Sequence, residues 1–133
     1  MLHGNFFADR TGDPDIRVKM FQWAQEKDPS TLKFVNDYNV LLYEPDGYID
    51  QIQDLLNRGA PVSGIGFQAH LGPDSIDLGK LEDTMNRIRG QFGLPMWVTE
   101  FDWQSNNGDD HSQHAVELDN FYRLCLRYGA FTS

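Results

Sequence analysis

Three side chains in this sequence could share proton or nucleophile chemistry: His70, Glu100 and Asp102. Glu100 and Asp102 stand two residues apart in Pro95-Met96-Trp97-Val98-Thr99-Glu100-Phe101-Asp102-Trp103, a stretch that opens as an apolar strand. Period two predicts Met96, Val98, Glu100 and Asp102 on one face, and Trp97, Thr99 and Phe101 on the other. A carboxylate at the end of an apolar strand is costly unless it is partnered. A histidine between two carboxylates can donate to each, holding Glu100 in one rotamer and one protonation state. The bland role for Glu100 is a structural carboxylate bonded to backbone or to an arginine. The chemical role is a nucleophile.

The neighbouring polar residues narrow the chemistry. Asn36 and Gln68 offer neutral amides, which suit the hydroxyl groups of an uncharged substrate. No serine–histidine pair sits at nucleophile-elbow spacing, which leaves acyl transfer unsupported. One histidine with two carboxylates can bind iron, but that facial arrangement uses two histidines. His111 or His114 could supply the second. Their spacing of three, beside Asp109 and Asp110, reads instead as a solvated first helical turn. No metal and no cofactor is expected.

The elements that must position these residues alternate. Residues 1–12 read as loop. Asp13-Pro14 opens a helix, since aspartate caps and proline fits the first turn. Its apolar stripe is Ile16, Met20, Trp23 and Ala24, and it stops before Asp28-Pro29. Thr31 to Tyr38 is a strand. A helix follows over about Asp46 to Arg58, with Ile49, Ile52, Leu55 and Leu56 inward and Gly59 as its cap. Gly64 to Leu71 is a strand with Gly64, Gly66, Gln68 and His70 on one face and Ile65, Phe67, Ala69 and Leu71 on the other. A helix over about Asp77 to Phe92 carries the stripe Leu78, Leu81, Met85 and Ile88. After the Trp97 strand and a polar loop, a helix spans about His111 to Tyr128 and closes at Gly129. Ala130 to Ser133 looks like the opening of another strand.

Strand alternating with helix implies a parallel sheet. Asn36, Gln68 and Glu100 are equally spaced along the chain, which leaves a (β/α)₈ barrel or an open doubly wound sheet. No glycine-rich phosphate turn follows a strand, because Gly64-Ile65-Gly66 lies inside one. Polar residues gather at each strand's C-terminal end: Asn36, Asp37 and Asn39; Gln68 and His70; Glu100 and Asp102. That is the end where a barrel builds its active site.

Composition sets the outer bounds. A formal net charge of −9 argues against nucleic acid and against an anionic membrane surface. No stretch is long enough to span a membrane. Met1-Leu2-His3-Gly4 does not read as a signal peptide. The one cysteine, Cys125, lies in an apolar helical pattern with Leu118, Phe121 and Leu124, which predicts a buried, inert thiol.

Three segments resemble the xylanases of glycoside hydrolase family 10. Phe34-Val35-Asn36-Asp37-Tyr38-Asn39 resembles the family's Asn-Asp-Tyr-Asn strand end. Gly64 to Leu71 resembles its Gly-Ile-Gly-x-Gln-x-His-Leu strand. Val98-Thr99-Glu100-Phe101-Asp102 resembles its Thr-Glu-Leu-Asp motif, with Phe101 in place of the usual leucine. All three occur in order at the expected spacing, and the likeness runs through nearly the whole chain.

The resemblance implies a retaining endo-acting hydrolase of β-1,4-xylan. Glu100 would attack the anomeric carbon, with His70 bonded to Glu100 and Asp102 behind His70. Gln68 would lie near the sugar at the cleavage point. Tyr38 and Asn39 would line the acceptor side, and Asn36, grouped with the substrate-binding residues, would with Asp37 organise the network. The family's general acid/base, in a segment like Trp-Asp-Val-x-Asn-Glu, has no counterpart here; Met1 aligns just after it. Glu26, Glu44 and Glu117 do not replace it.

The expectation is therefore a single partial domain over residues 1–133, truncated at both ends. It would comprise about three βα units of a (β/α)₈ barrel, with parallel strands near 31–38, 64–71 and 95–102. It would carry the nucleophile without the acid/base, be inactive or nearly so alone, and tend to self-associate. Secretion of the parent enzyme follows from the substrate class. The alternative is a non-catalytic carbohydrate-binding or scaffold protein on the same fold.

Overall fold

A computed structural model describes residues 6–72, 76–104 and 111–129. Their elements are α1 (Phe6–Thr11), α2 (Ile16–Lys27), β1 (Phe34–Tyr38), α3 (Pro45–Asn57), β2 (Gly64–Leu71), α4 (Leu78–Phe92), β3 (Met96–Trp103) and α5 (His111–Arg127). The strands form one parallel sheet in the order β1-β2-β3. Each strand leads into a helix, as parallel pairing requires.

The core lies on one side of this sheet. Val35, Ile65, Phe67, Ala69, Leu71 and Met96 pack there with Tyr48, Ile49, Ile52 and Leu55 of α3, Leu81, Met85 and Ile88 of α4, and Phe121, Leu124 and Cys125 of α5. An open doubly wound sheet carries helices on both faces. Here the opposite face bears Asn36, His70, Trp97, Thr99, Glu100 and Asp102, all solvent-exposed. Three strand–helix units with every crossover helix on one side form an arc of a barrel, and the polar face is its inside.

Local chemistry sets the element ends. The Asp77 carboxylate accepts the Lys80 N–H at 3.0 Å and caps α4. Beyond α3 and α5, Gly59 and Gly129 adopt φ of 78° and 64°, closing both helices as their positions predict. Asn39 also takes a left-handed φ of 60°, which asparagine tolerates. Its carbonyl accepts the N–H groups of Tyr43 and Glu44, turning the chain off β1 toward α3. No helix among the described residues is long and apolar enough to cross a membrane.

Four expectations are corrected. Residues 6–11, expected as loop, form the helix α1. In α2 the stripe Met20, Trp23 and Ala24 is exposed, and burial falls on Ile16 and Val18. Met20 and Ala24 border a cleft of about 340 Å³ with Leu32 and Phe34, which leaves that stripe open to solvent. The strand expected from Thr31 begins only at Phe34. Before it, the Asp28 carboxylate accepts the N–H groups of Ser30 and Thr31, and the buried Lys33 ammonium donates to the carbonyls of Asp28 and Thr31. Those bonds curl residues 28–31 into a turn.

The fourth correction concerns β3. Phe67 pairs with Val98, but Gln68 pairs with Glu100, so Thr99 has no register partner on β2. This β-bulge resets the alternation. Met96, Val98, Phe101 and Trp103 pack toward the core, while Trp97, Thr99, Glu100 and Asp102 are exposed on the inner face. Glu100 and Asp102 therefore share a face with Trp97 and Thr99, not with Met96 and Val98. The polar loop expected over 104–110, apart from Gln104, and the strand stub expected over 130–133 lie outside the described residues.

Candidate active site

The inner face is built in levels. Phe34 lies over Gly64, and its ring meets that of Trp97 at 4.4 Å between centroids. One step toward the strand ends, Asn36 and Thr99 meet across Gly66, with the Thr99 hydroxyl donating to Asn36 Oδ1 at 2.8 Å. The next level aligns Tyr38, Gln68 and Glu100 on the three strands. Above it stand His70 and Asp102, directly opposite one another.

His70 bridges the two carboxylates. Its Nε2 lies 3.1 Å from Glu100 Oε2 and its Nδ1 lies 2.5 Å from Asp102 Oδ2. A neutral imidazole has one N–H, so only the imidazolium can donate to both. The bond from Asp102 raises the His70 pKa above its ordinary 6.5, opposed by desolvation and helped by Glu100. The side chains remain open to solvent, 40% for His70, 50% for Glu100 and 55% for Asp102, so a ligand can reach Glu100 directly.

His70, Glu100, Asp102 and Gln68 are thus gathered at the C-terminal ends of β2 and β3. Tyr38 is half-buried at the level of Gln68, and its N–H donates to the Asp37 carboxylate at 2.8 Å. Asn39 borders an open hollow of about 290 Å³ with Tyr43, His70 and Gln104. Asn36 sits one level lower, with its carbonyl oxygen engaged by Thr99. Asp37 pairs with Phe67 and stands on a strand position of the outer face.

The triangle of His70, Glu100 and Asp102 does not converge on one point, because each ring nitrogen faces a different carboxylate. Among the described residues no group of three histidine, cysteine or acidic side chains is placed to hold a metal ion. His114 packs its ring edge-on to Trp103, with centroids 4.1 Å apart. Cys125 is buried, and burial pushes its thiol up to about 12, which leaves it protonated.

Thr99 and Tyr48 were not among the expected functional residues. The sequence signal for the bulge is the apolar spacing itself: Met96, Val98, Phe101 and Trp103 step by two, three and two. The signal for Tyr48 is its place in the α3 stripe, four before Ile52 and seven before Leu55.

Comparison with known proteins gives the family of the chain. The family model for glycosyl hydrolase family 10 matches residues 2–132. Endo-1,4-beta-xylanase 1 of Arabidopsis thaliana is 45% identical over 112 residues, 80% of this chain and 11% of that protein. The anti-sigma-I factor RsgI6 of Acetivibrio thermocellus is 36% identical over 128 residues, 96% of this chain and 16% of that protein. Among solved structures, the intracellular xylanase TsXylA of Thermoanaerobacterium saccharolyticum, a mutant in complex with xylotetraose, superposes with a TM-score of 0.71 at 27% identity. That match covers 89% of this chain and 36% of the other. The chain thus spans between about a tenth and a third of these relatives' lengths.

Proposed function

Because the chain belongs to glycosyl hydrolase family 10, we propose that it carries the nucleophile half of a retaining endo-1,4-β-xylanase site. In this reading Glu100 attacks the anomeric carbon, the glycosidic C–O bond breaks, and a glycosyl ester forms that water then hydrolyses. His70 donates to Glu100 and fixes its orientation. Asp102 holds His70 charged. Gln68, at the Glu100 level, binds the sugar at the cleavage point, and Tyr38 and Asn39 line the acceptor side. Asn36 supports the network from below. The observation that carries the reading is the 3.1 Å contact between His70 Nε2 and Glu100, on an open inner face at the strand ends.

In this reading no carboxyl group on the described strands serves as proton donor for the leaving oxygen. Glu26 lies on α2, Glu44 in the turn before α3 and Glu117 on α5, so none of the three stands on a strand. A missing general acid costs about 100- to 10,000-fold, so the 133 residues alone should hydrolyse xylan poorly or not at all. Xylan is a wall polymer, and the whole enzyme would meet it outside the cell.

A fluorinated xylobioside with a dinitrophenyl leaving group tests this reading, because such a group departs without a proton. Intact mass and peptide mapping should find the 2-fluoroxylobiosyl ester on Glu100. Labelling elsewhere, or none, would remove Glu100 from the role.

A second reading is a carbohydrate-binding or scaffold protein on the same fold that does not cut, since one relative is named an anti-sigma factor and not an enzyme. Xylohexaose binding unchanged by Glu100→Gln, together with no ester on Glu100, would support it over the first.

A further inference from the structure

We propose that Thr99 is a positioning residue for Glu100, acting through a latch with Asn36 that spans Gly66 and holds the bulge of β3. Its catalytic consequence rests on Glu100 being the nucleophile; its geometric consequence does not.

Consecutive residues of a regular strand point to opposite faces. Thr99 and Glu100 are consecutive and both are exposed on the inner face. The bulge alone allows this, because Thr99 is the residue without a partner on β2. A bulge leaves one residue outside the ladder, so something other than the ladder must hold it. Loss of the bulge would slip β3 by one residue and turn Glu100 and Asp102 toward the helices, where Phe101 and Trp103 now pack.

The Thr99 side chain supplies that hold. Its hydroxyl donates to Asn36 Oδ1 at 2.8 Å, a bond from β3 to β1 that passes over the intervening strand. Only glycine leaves room for it. A Cβ at Gly66 would stand 2.9 Å from Asn36 Oδ1 and 3.0 Å from Thr99 Cγ2, at or inside the limit of real contacts. A β-branched threonine is stiff at χ1, so the hydroxyl is aimed before the bond forms. Each strand thus contributes one residue to the latch: Asn36, Gly66 and Thr99.

The test compares Thr99→Val, which keeps the shape and removes the donor, with Thr99→Ser, which keeps the donor. Labelling of Glu100 by the fluorinated xylobioside separates reagent affinity from the rate of ester formation. In Thr99→Val the affinity should hold while the rate falls about ten- to a hundredfold, the usual penalty for misplacing a reacting group by an ångström. Thr99→Ser should recover most of the rate. A wild-type rate in Thr99→Val would overturn the proposal and leave the role of Glu100 intact.

A second readout needs no labelling. The His70 ring, titrated by NMR in the 133-residue chain, reports whether Glu100 and Asp102 still face it. Thr99→Val and Gly66→Ala should both bring its pKa down toward the ordinary value, and Thr99→Ser should not. An unchanged titration in both disruptive variants would overturn the latch, whatever Glu100 does chemically.

Discussion

The Tyr48 hydroxyl, on α3, lies 2.5 Å from the carbonyl oxygen of Gly66 and 3.0 Å from that of Val35. It therefore grips β1 and β2 from the outer face at the level where Asn36 and Thr99 meet on the inner face. Burial, and after it the charge of Asp37, raises the Tyr48 pKa, so the hydroxyl stays a neutral donor. Tyr48 itself is fully buried. Removing its hydroxyl leaves buried carbonyls without that donor, at a cost of about 1–3 kcal/mol. Urea unfolding of Tyr48→Phe should show a lower midpoint with an unchanged slope. An unchanged midpoint would mean the hydroxyl contributes nothing net.

His70 gives stability a pH dependence. Its folded-state pKa lies above the ordinary 6.5, chiefly through the bond from Asp102. A raised pKa means that the folded state holds the proton more tightly. The contribution is thus fully present below pH about 6.5 and is lost as pH rises through the folded-state value. Melting temperatures of the wild type and His70→Gln should converge as pH climbs through that window. Parallel profiles would show that the imidazolium bridge does not support the fold.

Much of this arrangement is legible in the sequence, and the failures have physical causes. The β2 faces, α3, α4 and α5, with their caps Gly59 and Gly129, follow from apolar periodicity and turn chemistry. These segments bury one clean stripe each. The face assignment of β3 fails because Trp97, an apolar ring, sits on the inner face against Phe34. It masks the three-residue step from Val98 to Phe101 that marks the bulge. The start of β1 fails because Asp28 and Lys33 tie up the backbone of residues 28–31, a tertiary arrangement no strand propensity reports. The grouping of His70, Glu100 and Asp102 survives the error in β3, since the bulge moves both acids together.

The sheet has exposed outer edges among the described residues: β1 and β3 each pair only with β2. Trp23 and Leu32 are more than half exposed, and Val116 and Leu126 of α5 more so. Unpaired edges flanked by apolar surface recruit other chains. Sedimentation velocity should show the mean sedimentation coefficient of the 133-residue chain rising with concentration. A single monomeric boundary throughout would contradict this.

Gly64 tests how tightly the lower inner level is packed. A Cβ there would stand 2.4 to 2.6 Å from three ring atoms of Phe34. Phe34 is not free to swing aside without loss, because its ring is seated between Gly64 and Trp97, tilted 35° to the indole. Moving it forfeits an aromatic contact worth about 0.5–1.5 kcal/mol, and overpacking adds to that. Gly64→Ala should therefore destabilise by about 1–3 kcal/mol. In a Phe34→Ala background those three contacts are gone, so Gly64→Ala should cost much less there. Urea midpoints of the four proteins in this cycle give the coupling directly. Additive effects would mean that the ring moves away at no cost and that the Phe34–Trp97 contact holds nothing in place.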